Sequence, residues 1–137
     1  MLIEFTEETI FSFEGPNLCF LGNMENFKHL GLAIVDLTSI NESFEIIVSE
    51  LPFVKTKGNK QIIFKSKLQT KRMGMVENES VVFELDPKYW NRLFRFFALL
   101  SWDMRTYYLN NDDSSLLDLD LEQEVNFICS SEYPHLS

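Results

Sequence analysis

The chain is short of nearly everything that usually betrays a chemistry. It holds two cysteines and two histidines in 137 residues. A small secreted domain carries a dense, even set of cysteines, so this usage fits a reducing compartment. Cys19 and Cys129 lie inside apolar runs, Leu18-Cys19-Phe20-Leu21 and Phe127-Ile128-Cys129. Such settings suit small buried hydrophobes better than reactive thiolates. His29 and His135 have no Cys, His or Asp partner at a metal or triad spacing. No nucleophile stands beside a base that would activate it. No catalytic residue and no metal ligand is therefore assigned, and no cofactor is expected.

Other absences bound the setting. The first residues, MLIEFTEETIF, lack the basic start of a signal peptide and acquire acids at once. The longest apolar stretches, such as Leu93 to Leu100, are too short and interrupted to cross a bilayer. A cytoplasmic protein without membrane contact is expected. There is no repeat and no linker, and 137 residues divide poorly into two cores. One globular domain spanning residues 1–137 follows.

What is present is aromatic mass and an uneven layout of charge. Thirteen Phe have no polar handle and demand burial in a core or a partner. Residues 1–50 carry nine acids against Lys28 alone, and residues 103–137 carry eight acids against Arg105 alone. Between them, residues 55–72 carry Lys55, Lys57, Lys60, Lys65, Lys67, Lys71 and Arg72 with no acid. The net charge of −9 repels polyphosphate at long range, so nucleic-acid binding is not expected. It favours a basic partner instead. The basic stretch reads as a hairpin that packs against acidic strands of the same chain, or against a second copy in a homodimer.

Periodicity gives the elements. Phe27, Leu30, Ile34 and Leu37 share one helical face behind a capping Asn23, which predicts a helix over about 24–38. Asp86-Pro87 is an N-cap followed by proline at the first helical position. Trp90, Leu93, Phe94, Phe97 and Leu100 then mark a core helix over about 87–101. Strands are predicted near 2–6, 9–13, 18–21, 44–48, 61–68, 80–85, 105–109 and 125–129 by alternation or short apolar runs. A loop is predicted around Met73-Gly74-Met75 and Glu77-Asn78-Glu79. The alternating Leu116, Leu117, Leu119 and Leu121 favour an extended segment. The class is α+β: a single, largely antiparallel sheet of about five to seven strands, with the two helices packed on one face.

Candidate sites follow from surface chemistry. The polar loop at 110–113 with Asp118 and Asp120 lacks the central glycine and spacing of a calcium loop, so it reads as solvated acid. Trp90, Trp102, Tyr107, Tyr108 and Tyr133 combine large rings with polar tips, the composition of interface anchors. Those on the second helix are expected in the core. Tyr107, Tyr108, Asp112, Asp113, Asp118, Asp120 and Tyr133 together compose an acidic, aromatic surface for a basic partner. In size, acidity and mixed topology the chain is similar to small bacterial immunity or antitoxin-type proteins. That similarity implies a non-enzymatic interaction module. The alternative is a small-molecule-binding or hydrolytic domain with a pocket between helices and sheet.

Overall fold

The structure is a computed structural model that describes residues 1–10, 13–40, 43–103, the backbone of 107–109, and residues 121–131. In chain order the elements are β1 (Leu2–Thr6), β2 (Asn17–Leu21), α1 (Met24–Ala33) and a 3-10 turn (Val35–Thr38). There follow β3 (Glu45–Ile47), a second 3-10 turn (Val48–Glu50), β4 (Lys55–Lys57), β5 (Gln61–Ser66), β6 (Lys71–Glu77) and β7 (Ser80–Leu85). The last elements are α2 (Pro87–Leu100), β8 (Tyr107–Leu109) and β9 (Asn126–Ser130).

The class is α+β with two helices, as the periodicity implies. The strands, however, form two mixed sheets rather than one largely antiparallel sheet. One sheet has the order β4-β1-β2-β9-β8 and the other β3-β5-β7-β6. Three neighbouring pairs are parallel: β1 with β4, β2 with β9, and β5 with β7. Parallel partners are joined by long crossovers, so no local turn signal announces them. The basic stretch is not a hairpin either. Lys55–Lys57 adds to the edge of β1, and after Gly58, at φ 103°, the chain crosses to the other sheet as β5.

A second correction concerns residues 71–77, which hold Met73-Gly74-Met75 and Glu77 of the expected loop; only its end, Asn78-Glu79, is a turn. Residues 71–77 form an antiparallel strand on β7 whose register shifts between Arg72 and Met75. Gly74, with φ 73°, sits inside that irregularity, which is a usual station for glycine in a strand. The outer edge of β6 is then closed by the segment leading into β9. Met73 N–H donates to the Glu122 carbonyl at 2.8 Å, and Glu122 N–H donates to the Lys71 carbonyl at 2.9 Å. The strand expected over 9–13 reduces to a bridge between Ile10 and Phe13, with residues 11 and 12 outside the described set. Most of the alternating 116–121 run also lies outside it.

The centre of the molecule is a phenylalanine cluster contributed by both sheets. Phe20 of β2 stacks on Phe64 of β5 at 6.1 Å and meets Phe127 of β9 edge-on at 5.0 Å. Phe83 of β7 contacts Phe64 at 4.9 Å and Phe127 at 5.2 Å. Helix α2 closes this cluster. Asp86 caps it, accepting from Lys88 N–H at 3.0 Å, and also accepts from Gln69 N–H at 2.9 Å in the turn before β6. Trp90 lies 4.9 Å from Phe64, and its indole N–H donates to the Lys65 carbonyl at 2.7 Å. Trp90, Leu93, Phe96, Phe97 and Leu100 are buried, each contributing about 1.5–3 kcal/mol over exposure, whereas Phe94 is half-buried.

Helix α1 packs on α2 through Phe27 and Phe97, 6.3 Å apart. It is shorter than the periodicity implies. Ile34 N–H is shared between the Leu30 and Gly31 carbonyls, and the chain tightens into the 3-10 turn that keeps Leu37 buried. The β-branched pair Ile34-Val35 helps stop the α-helix, since each loses side-chain freedom against the preceding turn.

Candidate functional site

The stripe that α2 buries fixes what it shows to solvent. Lys88, Arg92, Arg95 and Leu99 follow one another at i, i+4, i+7 and i+11, and Trp102 continues the line one turn later. No acid lies between Pro87 and Trp102, so this line is positive on a chain of net charge −9. Lys88, Arg95 and Leu99 are exposed and Arg92 is half-buried. Trp102 is 85% exposed, although an indole normally finds a partner for its ring. Beside this line the first helix and its 3-10 turn offer Leu32, 60% exposed, and Val35. Between the helices runs a groove of ≈ 110 Å³ lined by Phe27, Gly31, Leu32, Phe94 and Ala98, together with Lys28 and Ser101. Apolar side chains gathered around a concavity and flanked by charge mark interaction sites on soluble proteins.

A larger cleft, of ≈ 650 Å³, lies where β2 hands over to α1. Register sets part of its lining, since Lys55, Leu2 and Leu21 occupy one row across β4, β1 and β2. Leu2 and Leu21 are joined in its lining by Met1, Pro52 and Phe53. Among the described residues the polar lining comprises Asn23, Asn26, Lys55 and Ser131, with no carboxylate. The Met1 amino group donates to the Phe53 carbonyl at 2.8 Å. Burial, and secondarily the charge of Lys55, hold its pKa below the ordinary value.

The remaining polar residues resolve as structure. Buried Asn17 donates to the Glu8 and Phe13 carbonyls at 2.8 and 2.9 Å and accepts from Asn126 Nδ2 at 2.9 Å. Cys19 and Cys129 are free and buried on adjacent strands, but β2 and β9 pair Cys19 with Ile128 and Phe20 with Cys129. The two thiols therefore stand on opposite faces of the sheet, where their Cβ vectors forbid a disulfide. Burial, with some help from Glu4, pushes the Cys19 thiol up to about 12. Burial also raises Cys129 well above its ordinary value, with a smaller contribution from Cys19. Neither supplies a thiolate near neutral pH.

The basic stretch meets both acidic ends of its own chain. Lys57 Nζ lies 3.6 Å from Glu4 Oε1, and Arg72 reaches Glu77, Glu84 and Glu122 at 2.9, 4.0 and 3.8 Å. His29 pairs along its helix with Glu25 at 3.3 Å and lies 5.8 Å from the Phe53 ring. Among the described residues no group of three or more His, Cys, Asp or Glu is placed to hold a metal ion. No described helix is long and apolar enough to cross a membrane.

The acidic, aromatic surface drawn from the sequence falls largely where the structure is not described. Tyr107 and Tyr108 belong to β8, in register with Cys129 and Ile128, and their side chains lie outside the described residues. Asp112, Asp113, Asp118, Asp120, Tyr133 and His135 lie outside them altogether. Of the other aromatic anchors, Trp90 is core and Trp102 is the most exposed large apolar residue described. Leu32, whose position in the periodicity widens the apolar stripe of the first helix, is exposed instead, and the α2 basic line carries no reading from the sequence although its three bases stand at helical spacing on an acid-free helix. No family model matches the chain, and no curated protein or solved structure matches it.

Proposed function

We propose that the chain is a protein-interaction module that docks an acidic partner on the outer face of α1 and α2. The observation that carries this reading is Trp102, 85% exposed at the end of a line of three bases and next in the chain to Ser101, which lines the apolar groove. Tryptophan and arginine are the residues most enriched among interface hot spots, and an apolar side chain from a partner would seat in the groove. Overall charge alone favours a basic partner, but the charge at this face has the opposite sign, and contacts are set by local charge within a Debye length of about 8 Å. The groove asks for an apolar side chain to seat in it, which a protein partner supplies and a phosphodiester backbone does not. A two-fold contact centred on this line would bring the bases of one copy against those of the other, a like-charge cost that argues against self-association here.

A photo-crosslinking residue placed at Leu32 in the native cell tests the reading. Supporting capture is of a single protein that, once purified, binds the wild-type chain with an affinity that falls as salt rises. Crosslinks only between copies of this chain, or capture that persists with Arg92→Glu and Arg95→Glu together, would discard it.

A further inference from the structure

The cleft between β2 and α1 has a chemistry of its own, independent of the helix face. We infer that it is a binding site for a small organic anion, a carboxylate or phosphomonoester carried on an apolar body. Its volume, ≈ 650 Å³, lies within the range of about 300–1,000 Å³ typical of small-molecule sites. Leu2, Leu21 and Phe53 supply apolar wall, so the body of a ligand has surface to cover.

The polar groups decide the sign of the ligand. Asn23 and Asn26 hold each other in a reciprocal cap. Asn23 Oδ1 accepts from Asn26 N–H at 2.9 Å, and Asn26 Oδ1 accepts from Asn23 N–H at 3.0 Å. Both acceptor oxygens are thereby used. What each amide has left is its NH₂ group, a pure donor, and neither has an acceptor among the described residues. Lys55 comes from a different element, β4, adds an ammonium, and makes no ion pair among the described residues. Three side chains from two elements thus offer donors alone, and among the described residues no carboxylate lines the cleft to satisfy them. Gly22 permits the arrangement, because a Cβ there would come within 2.9 Å of Asn26 Cβ and Oδ1. The chain's net charge of −9 works against an anion at long range, but screening at physiological salt confines that field, and the local donors govern the bound state.

The probes are benzoate and phenyl phosphate, with benzamide as the uncharged control. Each is titrated into the full chain while amide and side-chain NH₂ resonances are followed by heteronuclear NMR. Saturable shifts of the Asn23 and Asn26 NH₂ groups with an anion, at least tenfold tighter than with benzamide, are expected. Carboxylate preferred over phosphate, or the reverse, identifies the headgroup. The double substitution Asn23→Asp and Asn26→Asp keeps the cap acceptors, since Asp caps as well as Asn, while replacing both free donors by charge. It should leave the melting temperature at or above that of the wild type and weaken anion binding more than tenfold; Lys55→Gln should weaken it alone. Unsaturable shifts, equal binding of benzamide, or unchanged anion affinity in the folded double variant would each overturn the assignment.

Discussion

Truncating Phe97 to alanine probes how α2 is seated. Its ring is fully buried, 6.3 Å from Phe27 and 5.7 Å from Phe96, and a Cβ built on Gly31 would lie 3.6 Å from its Cβ. Nothing at that crossing can collapse without moving α1, so the cost is the transfer term plus a cavity, about 3–5 kcal/mol. Phe94 sits one turn earlier on the same helix but is half-buried and lines the groove. Its truncation widens a space already open to water, forfeits only part of the transfer term, and should cost about 1–1.5 kcal/mol. The two variants therefore differ by about 2 kcal/mol or more although both remove the same atoms. Urea unfolding followed by circular dichroism reads the difference directly, provided the slope m is shared. Equal losses at the two positions, or a loss under about 1 kcal/mol at Phe97, would mean that α2 is rotated from the orientation described.

Asp86→Ala removes both the cap on Lys88 N–H and the acceptor for Gln69 N–H, and should cost about 1–2 kcal/mol by thermal unfolding, with Asp86→Asn recovering only part of it, because its single amide oxygen accepts from one of the two N–H groups. Gly74→Ala places a side chain at φ 73° and against Val125 Cγ2; a loss of about 2–4 kcal/mol is expected, and a neutral result would remove the strand irregularity between Arg72 and Met75. Folding raises the Cys19 thiol from 9.0 to about 12, so its contribution is intact below pH 9 and drains as pH climbs through that window. The loss is about 1.4 kcal/mol per pH unit, and Cys19→Ala should flatten the fall of the urea midpoint between pH 8 and 11 relative to wild type. An identical fall in both proteins would place Cys19 in contact with water.

The parts of the fold that could be read in the sequence are those whose signals are local. Asp86-Pro87 and the 3.6-residue stripe behind it specify α2 within a residue, and Asn23 marks the start of α1. The continuous apolar run Leu18-Cys19-Phe20-Leu21 has strand length and no polar face, and β2 is that strand, buried throughout. The sheets could not be read. Nothing in Lys55-Thr56-Lys57 says that it lies parallel to Leu2-Ile3-Glu4 rather than antiparallel to Gln61–Ser66, because that choice rests on contacts made across many residues. Gly74 misled for a related reason, since a glycine between methionines signals a loop unless the partner strand is known.

The proposed docking face is half legible in the sequence. Periodicity identifies the buried side of a helix well, but it is silent on whether the outer side is merely solvated or poised for a partner. Trp102 was recognised as an aromatic anchor from its type, yet only packing separates it from Trp90, whose indole is spent on the Lys65 carbonyl. The cleft was invisible for a different cause: its donors come from the start of α1 and from β4, residues far apart in the chain whose meeting depends on the unread parallel pairing.

The affinity of a partner captured at Leu32 for wild type, Trp102→Ala and Arg95→Glu, measured across a range of salt, is the direct test of the proposed docking. Loss of the indole should weaken binding by about 2 kcal/mol or more, about thirtyfold, with little change in salt dependence. Arg95→Glu should weaken it most at low salt and progressively less as salt rises. Affinities of both variants equal to wild type, in chains that unfold at the wild-type temperature, would show that the helix face is not where the partner binds.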